Sequence, residues 1–237
     1  IDGDQRVSTL LYNCAEHIEV MFAVAAKGAV FNPLNVQLMA DQIAYVVNHA
    51  ESEVIVADPR LAEKLGAILQ LCPNVRAVAF TGIAPLDDAA SHLPDSVQVY
   101  SYEQLLDGRP TSYPWPELPE NTAAALVYST STTGAPKGAM LSHGNLFSNL
   151  LQGKAWVPGL GDKPERMLAA LPFFHAYGLT MNVTLAQFIG GELVILPKPD
   201  MSLIMQLMKK HTPTWVPGVP TLYERIVKAA EDQEIPI

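Results

Sequence analysis

The stretch Tyr128-Ser129-Thr130-Ser131-Thr132-Thr133-Gly134-Ala135-Pro136-Lys137-Gly138 places five consecutive hydroxyl residues directly after an apolar run, Ala123-Ala124-Ala125-Leu126-Val127. The apolar run reads as a buried strand. Packing does not explain the hydroxyl run, because each Ser or Thr there brings a side-chain donor beside its own backbone N–H. A tight turn at Gly134 would aim several of those donors at one anion. Lys137 adds a mobile positive charge. Such a combination suits a polyphosphate, whose charge is spread over many oxygens and is best neutralised by several partners. The spacing is not Gly-x4-Gly-Lys-[Ser/Thr], which disfavours a P-loop NTPase. The plainer alternative is a Ser/Thr-rich turn between a strand and a helix.

Outward from this loop, short β-branched runs alternate with longer helical patterns, the signature of parallel strands joined by crossover helices. On the amino-terminal side the spacing predicts strands at 6–12, 29–33, 53–57 and 75–80. Helices are predicted at 16–27, 40–49 and 61–71, the first ended by Gly28. Residues 81–120 hold six prolines and read as an irregular connection or insertion in which only 102–106 is helical. Beyond the loop, strands are expected at 167–171, 192–196 and 214–216, and helices at 145–156, 178–189, 202–211 and 221–230. The fold class is therefore α/β, with layered, parallel-rich sheets and helices packed on their faces. One lobe is expected over 1–80 and a second over 121–237.

With 237 residues, 49% of them apolar, the chain can bury a large core. Its formal net charge of −9 argues against an extended nucleic-acid surface, which would need clustered Lys and Arg. No run of 18 or more uncharged apolar residues occurs, so no transmembrane helix is expected. The start, Ile1-Asp2-Gly3-Asp4-Gln5-Arg6, lacks the basic and apolar parts of a secretory signal, and a cytoplasmic location follows as the expectation. Cys14 and Cys72 fit no metal spacing and read as buried thiols. His17, His49, His92 and His211 show no ligand spacing, and Asp87-Asp88 reads as a solvated loop. Met201, Met205 and Met208 fall on helical spacing and read as core filler.

Three further segments carry weight. Leu171-Pro172-Phe173-Phe174-His175-Ala176-Tyr177-Gly178-Leu179 puts an imidazole beside aromatic residues at the end of a strand, which taken alone reads as a structural histidine. Pro217-Gly218-Val219-Pro220-Thr221-Leu222-Tyr223 precedes the last helix. Asn32-Pro33-Leu34-Asn35 reads more simply as strand-to-loop punctuation.

Taken together, the loop resembles the Tyr-Thr-Ser-Gly-Thr-Thr-Gly-x-Pro-Lys-Gly signature of the acyl-adenylating, AMP-forming superfamily of acyl-CoA synthetases, luciferases and adenylation domains. Ala139 to Leu146 continues that likeness. Leu171 to Gly178 resembles the family's Leu-Pro-x-x-His-x-x-Gly segment, and Gly218 to Thr221 its Gly-Val-Pro-Thr element. The run from Phe188 to Pro197 is most similar to bacterial long-chain fatty-acid–CoA ligases. The resemblance implies that Ser129, Thr130, Ser131, Thr132, Thr133, Gly134 and Lys137 bind the nucleotide phosphates and that His175 is the catalytic-site residue bordering the acyl and adenylate pocket. ATP, Mg²⁺ and CoA are the implied cofactors, with a fatty acid as the partner substrate. Transient contact with a membrane surface and a homodimer are compatible with it. The sequence departs from the signature at Ser131, where the family has glycine. It also contains no Tyr-Gly-x-Thr-Glu segment and no carboxy-terminal domain with its adenylation lysine, so the isolated chain is expected to show at best residual activity. The alternatives are a fatty-acyl-AMP ligase, an aryl-CoA ligase and, from another class, a non-catalytic binding or scaffold module whose loop Ser131 has disabled.

Overall fold

Strand β1 (Arg6–Leu10) pairs in parallel with β2 (Val30–Pro33) on one side and with β3 (Val54–Ala57) on the other. The computed structural model describes residues 3–82, 86–129 and 135–232. Parallel neighbours need crossovers, supplied by α1 (Ala15–Ala26), α2 (Ala40–His49) and, after a 3₁₀ turn at Pro59–Leu61, α3 (Ala62–Leu69). Gly28, at φ +86°, lets the chain leave α1 in the left-handed region that a side chain would resist. Helix α2 begins with the Met39 N–H donating to Gln42 Oε1 at 3.0 Å, and it buries Ile43, Ala44, Val46 and Val47 along one face.

The sheet continues through β4 (Ala77–Phe80), followed by α4 (Leu86–Ser91), β5 (Gln98–Ser101) and α5 (Tyr102–Leu106). At its other edge lie β6 (Ala123–Ser129) and β7 (Lys137–Ser142). The strand order is β5-β4-β3-β1-β2-β6-β7, with β7 antiparallel to β6. Three features differ from expectation. α4 is a helix in a stretch expected to be irregular, and Asp87 and Asp88 stand in its first turn, where carboxylates suit the helix N-terminus, not in a loop. β5, inside the proline-rich connection, pairs in parallel with β4; it is a short edge strand whose only aliphatic residue, Val99, offers no alternation to detect. Strands β6 and β7, which the sequence places in the later lobe, complete the first sheet.

The chain divides into two compact units. One runs through Leu11 and over Glu16–Asn145, and the other joins Tyr12–Ala15 to the chain from Leu146 onward. The boundary falls within α6 (His143–Trp156).

In the first unit the buried strands carry polar groups that hydrogen-bond to one another, with Asn32 Oδ1 left without a partner among the described residues. Ser8 Oγ lies 2.7 Å from Ser52 Oγ, the Asn32 amide donates to Ser8 Oγ at 2.8 Å, and Thr9 Oγ1 meets His17 Nε2 at 3.1 Å. Asn32 is thus part of the core's polar network.

In the second unit, β8 (Arg166–Ala169) pairs in parallel with β9 (Glu192–Ile195). Between them come α7 (Ala176–Gly178), a π-helical turn at Leu179–Thr184 and α8 (Leu185–Ile189). Alternation along β8 serves two cores. Leu168 and Ala170 pack with Ile204, Met205, Ile226 and Ala230 of α9 (Met201–His211) and α10 (Pro220–Asp232). Met167 packs with Leu150, Leu185 and Ala186. Met201 and Met208 border the first of these cores, as their spacing predicts. Residues 214–216 form only an isolated bridge, Trp215 to Met167. Among the described residues no helix is long and apolar enough to cross a membrane.

Burial pushes the Cys72 thiol up to about 11 from an ordinary value of 9.0. The unfolded chain therefore releases this proton first, so stability is fully present below pH 9 and is lost as pH rises toward 11. A denaturant midpoint that falls over this interval, and falls less in Cys72→Ala, is the expected result; equal slopes in the two proteins would refute it.

Candidate active site

The hydroxyl-rich stretch bridges two strands of a hairpin. Strands β6 and β7 run antiparallel with Tyr128 opposite Gly138 and Ser129 opposite Lys137, the last pair before the loop. Ser129 Oγ also donates to the Lys137 carbonyl at 3.4 Å. The strand-to-helix turn weighed from sequence is thus replaced by a strand-to-strand connection. Thr130, Ser131, Thr132, Thr133 and Gly134 lie outside the described residues. Lys137 is exposed, and among the described residues no carboxylate pairs with it.

The base of this hairpin is held from below. The Tyr128 hydroxyl lies 2.7 Å from His49 Nδ1 at the end of α2, and the two rings meet edge-on with centroids 5.7 Å apart. Burial, reinforced by Tyr45 and opposed by Arg6, pushes the phenol up to about 12, so Tyr128 stays neutral at physiological pH. Its ring lies over Gly138, where a Cβ would come within 3.0 Å of Tyr128 Cζ.

His175 belongs to the second unit and stands exposed at the start of α7. Its Nδ1 accepts from the Tyr177 N–H at 3.1 Å. A nitrogen that accepts from an amide carries no proton, so the neutral ring keeps its hydrogen on Nε2. This contact favours the tautomer in which Nε2–H is the donor. The preceding turn closes through the His175 N–H donating to the Pro172 carbonyl at 3.2 Å. Gly178 seals it, since a Cβ there would sit 2.1 Å from the Pro172 oxygen.

The turn also rests on a residue that the sequence does not single out. Asn13 is 5% exposed. Its amide donates to the carbonyls of Leu171 at 2.9 Å and Ala169 at 3.3 Å, and its Oδ1 accepts the Phe173 N–H at 2.8 Å. Asn182 in the π-helical turn adds a second, longer donation to Leu171, at 3.4 Å. The Gly218 segment joins the same group, with the Tyr177 hydroxyl donating to the Gly218 carbonyl at 3.4 Å and that of Tyr223 to Val216 at 2.9 Å. Burial, with Tyr177 adding, raises the Tyr223 phenol above its ordinary value. The structure thus brings the His175 and Gly218 motifs together.

The AMP-binding enzyme profile matches residues 1–235. The chain belongs to this family. Among AMP-binding relatives, the long-chain-fatty-acid–CoA ligase of Thermus thermophilus is 32% identical over 227 residues, covering 93% of this chain and 38% of that protein. The 3-methylmercaptopropionyl-CoA ligase of Ruegeria lacuscaerulensis is 27% identical, over 97% of this chain and 42% of the relative. Of solved structures, ATP-bound MatB from Rhodopseudomonas palustris superposes with a TM-score of 0.76 at 28% identity, covering 96% of this chain and 42% of that one. The chain therefore spans about two fifths of the length of these AMP-binding proteins. Its mixed α/β fold matches the amino-terminal domain of acyl-CoA synthetase-like structures.

Proposed function

We infer that this chain is part of an AMP-forming ligase that activates a long-chain fatty acid with ATP and passes the acyl group to CoA. The observation that carries this reading is the pairing of Ser129 with Lys137 at the sheet edge, which flanks the hydroxyl-rich stretch on both sides. It is supported by relatives named as long-chain, medium-chain and 3-methylmercaptopropionyl-CoA ligases. In the first step a carboxylate oxygen attacks the α-phosphorus of ATP and pyrophosphate leaves. In the second the CoA sulfur attacks the acyl carbon, the thiol proton is released and AMP departs.

The chain's contribution to both steps is positioning and electrostatics. Lys137 and the loop hydroxyls offset charge on the departing phosphates, and the backbone of the hairpin carries Lys137 without help from its side chain. The Nε2–H of His175 donates to the substrate carboxylate, and later to the acyl-adenylate carbonyl. A donor suits these acceptors, whereas a base would repel them. Among the described residues no group of three His, Cys, Asp or Glu side chains is placed to hold a metal ion. An Mg²⁺ that arrives with ATP would take its ligands mainly from phosphate oxygens and water, and no step is assigned to it.

The test, made on the full-length ligase of which this chain is read as a part, is carboxylate-dependent ATP–pyrophosphate exchange across straight-chain acids from butyrate to oleate together with benzoate, followed by thioester formation with CoA. Strongest exchange with long chains and a CoA thioester is the expected result. Preference for benzoate would make it an aryl-CoA ligase. Exchange without thioester would point to a carrier-protein acceptor, and nucleotide binding without exchange to a scaffold.

A further inference from the structure

The parallel sheet of the first unit reverses its strand order at β1: the next strand, β2, lies on one side and β3, β4 and β5 on the other. Loops leaving the carboxyl ends of strands at such a reversal are where open α/β sheets place functional groups. The loop leaving β1 carries Asn13, and its residues Tyr12–Ala15 group with the second unit. Within that unit Asn13 spends its whole amide on the chain from Ala169 to Phe173, more than 150 residues away in sequence.

We propose that Asn13 is a positioning residue that sets the orientation and tautomer of His175 by fixing the turn before it. This rests on the reading of His175 as the donor to the substrate. Asn13 holds both sides of Pro172: the Leu171 carbonyl before it and the Phe173 N–H after it. The ring of Pro172 restricts φ between those anchors, and Phe173 is fully buried. From Phe173 the backbone has little freedom left before the His175 N–H returns to the Pro172 carbonyl. The geometry that delivers the Tyr177 N–H to His175 Nδ1 is thus built on Asn13. Only an amide serves, because the site asks for two donations and one acceptance from a single buried planar group. Without it, the Phe173 N–H loses its acceptor, and the Leu171 and Ala169 carbonyls keep only the donations of Asn182 at 3.4 Å and the Leu196 N–H at 3.3 Å, so the turn relaxes to find others.

The chain has six histidines, so ¹⁵N-imidazole spectra of the 237-residue protein report the tautomer of each. His175 is assigned by the signal lost in His175→Gln. Under mildly alkaline conditions, where imidazole is neutral, wild-type His175 is expected to show a single Nε2–H pattern. Asn13→Ala is expected to convert it to a mixture while the other five signals keep theirs. If Asn13→Ala collapses all six signals, Asn13→Asp is read in its place, since it retains the volume and the acceptor for Phe173 N–H and loses both donations. An unchanged His175 pattern in the folded variant overturns the proposal. In pyrophosphate exchange by the full-length ligase, Asn13→Ala should cost about tenfold in kcat, with the KM for ATP unchanged, and should cost nothing further in a His175→Gln background. An equal cost in both backgrounds shows that Asn13 acts other than through His175 and also overturns it. A silent His175→Gln instead removes the donor role of His175, and the spectra still decide whether Asn13 holds the turn.

Discussion

Gly178→Ala is expected to lower the free energy of unfolding by about 3 kcal/mol, the upper end for forcing an extra carbon into a packed site. The reason is space, not backbone conformation. Gly178 has φ −65° and ψ −40°, ordinary helical values that alanine prefers to glycine. Its added Cβ, however, would meet the Pro172 oxygen at 2.1 Å, the Pro172 carbonyl carbon at 2.8 Å and the Leu171 carbonyl carbon at 3.2 Å. All three are backbone atoms, and the Leu171 carbonyl is itself held by Asn13 and Asn182. Neither partner can yield cheaply. Gly153 in α6 supplies the contrast, because nothing lies within 4 Å of a Cβ built there. Gly153→Ala should be neutral or stabilising by up to about 1 kcal/mol. Chemical denaturation of the two variants beside wild type makes the comparison, and similar midpoints for both would show that the turn before α7 is softer than its geometry implies.

Much of this architecture was legible in the sequence because its local signals agree with its packing. Helix α2 begins at Ala40 and ends at His49 as its apolar spacing predicts, and the alternation of strands and helices from Arg6 to Phe80 is that of a parallel sheet. Two strands escaped for different reasons. β5 is short and mostly polar, and β7 lies at the sheet edge, where its burial never exceeds intermediate, so neither displays an apolar face. Missing β7 also concealed that the hydroxyl-rich stretch is a hairpin connection. At the site, the Leu171–Gly178 motif was recognisable, and its glycine has a steric cause that spacing alone cannot supply. Asn13 was invisible in principle. A single Asn after a strand is common punctuation, and its partners at Ala169, Leu171 and Phe173 become neighbours only through the tertiary fold.

In the full-length ligase, Lys137→Met should slow ATP–pyrophosphate exchange by about 10²-fold, the usual effect of removing one charged or hydrogen-bonding group from a developing anion. The structure separates this from a folding defect. Lys137 takes its place in β7 through its backbone, pairing with Ser129, and the Ser129 hydroxyl donates to its carbonyl, which any residue would provide. Its side chain is exposed and forms no ion pair among the described residues, so methionine should leave the denaturant midpoint within experimental scatter. The charge argument adds two conditions. Lys137→Arg should recover part of the rate, because a planar guanidinium can still neutralise phosphate though it approaches from a different angle. Added salt should slow wild type more than Lys137→Met, because the variant has already lost the interaction that ions screen. A methionine variant with wild-type exchange, or one whose rate falls only as its stability falls, would remove Lys137 from the chemistry and leave it as an ordinary exposed residue on an edge strand.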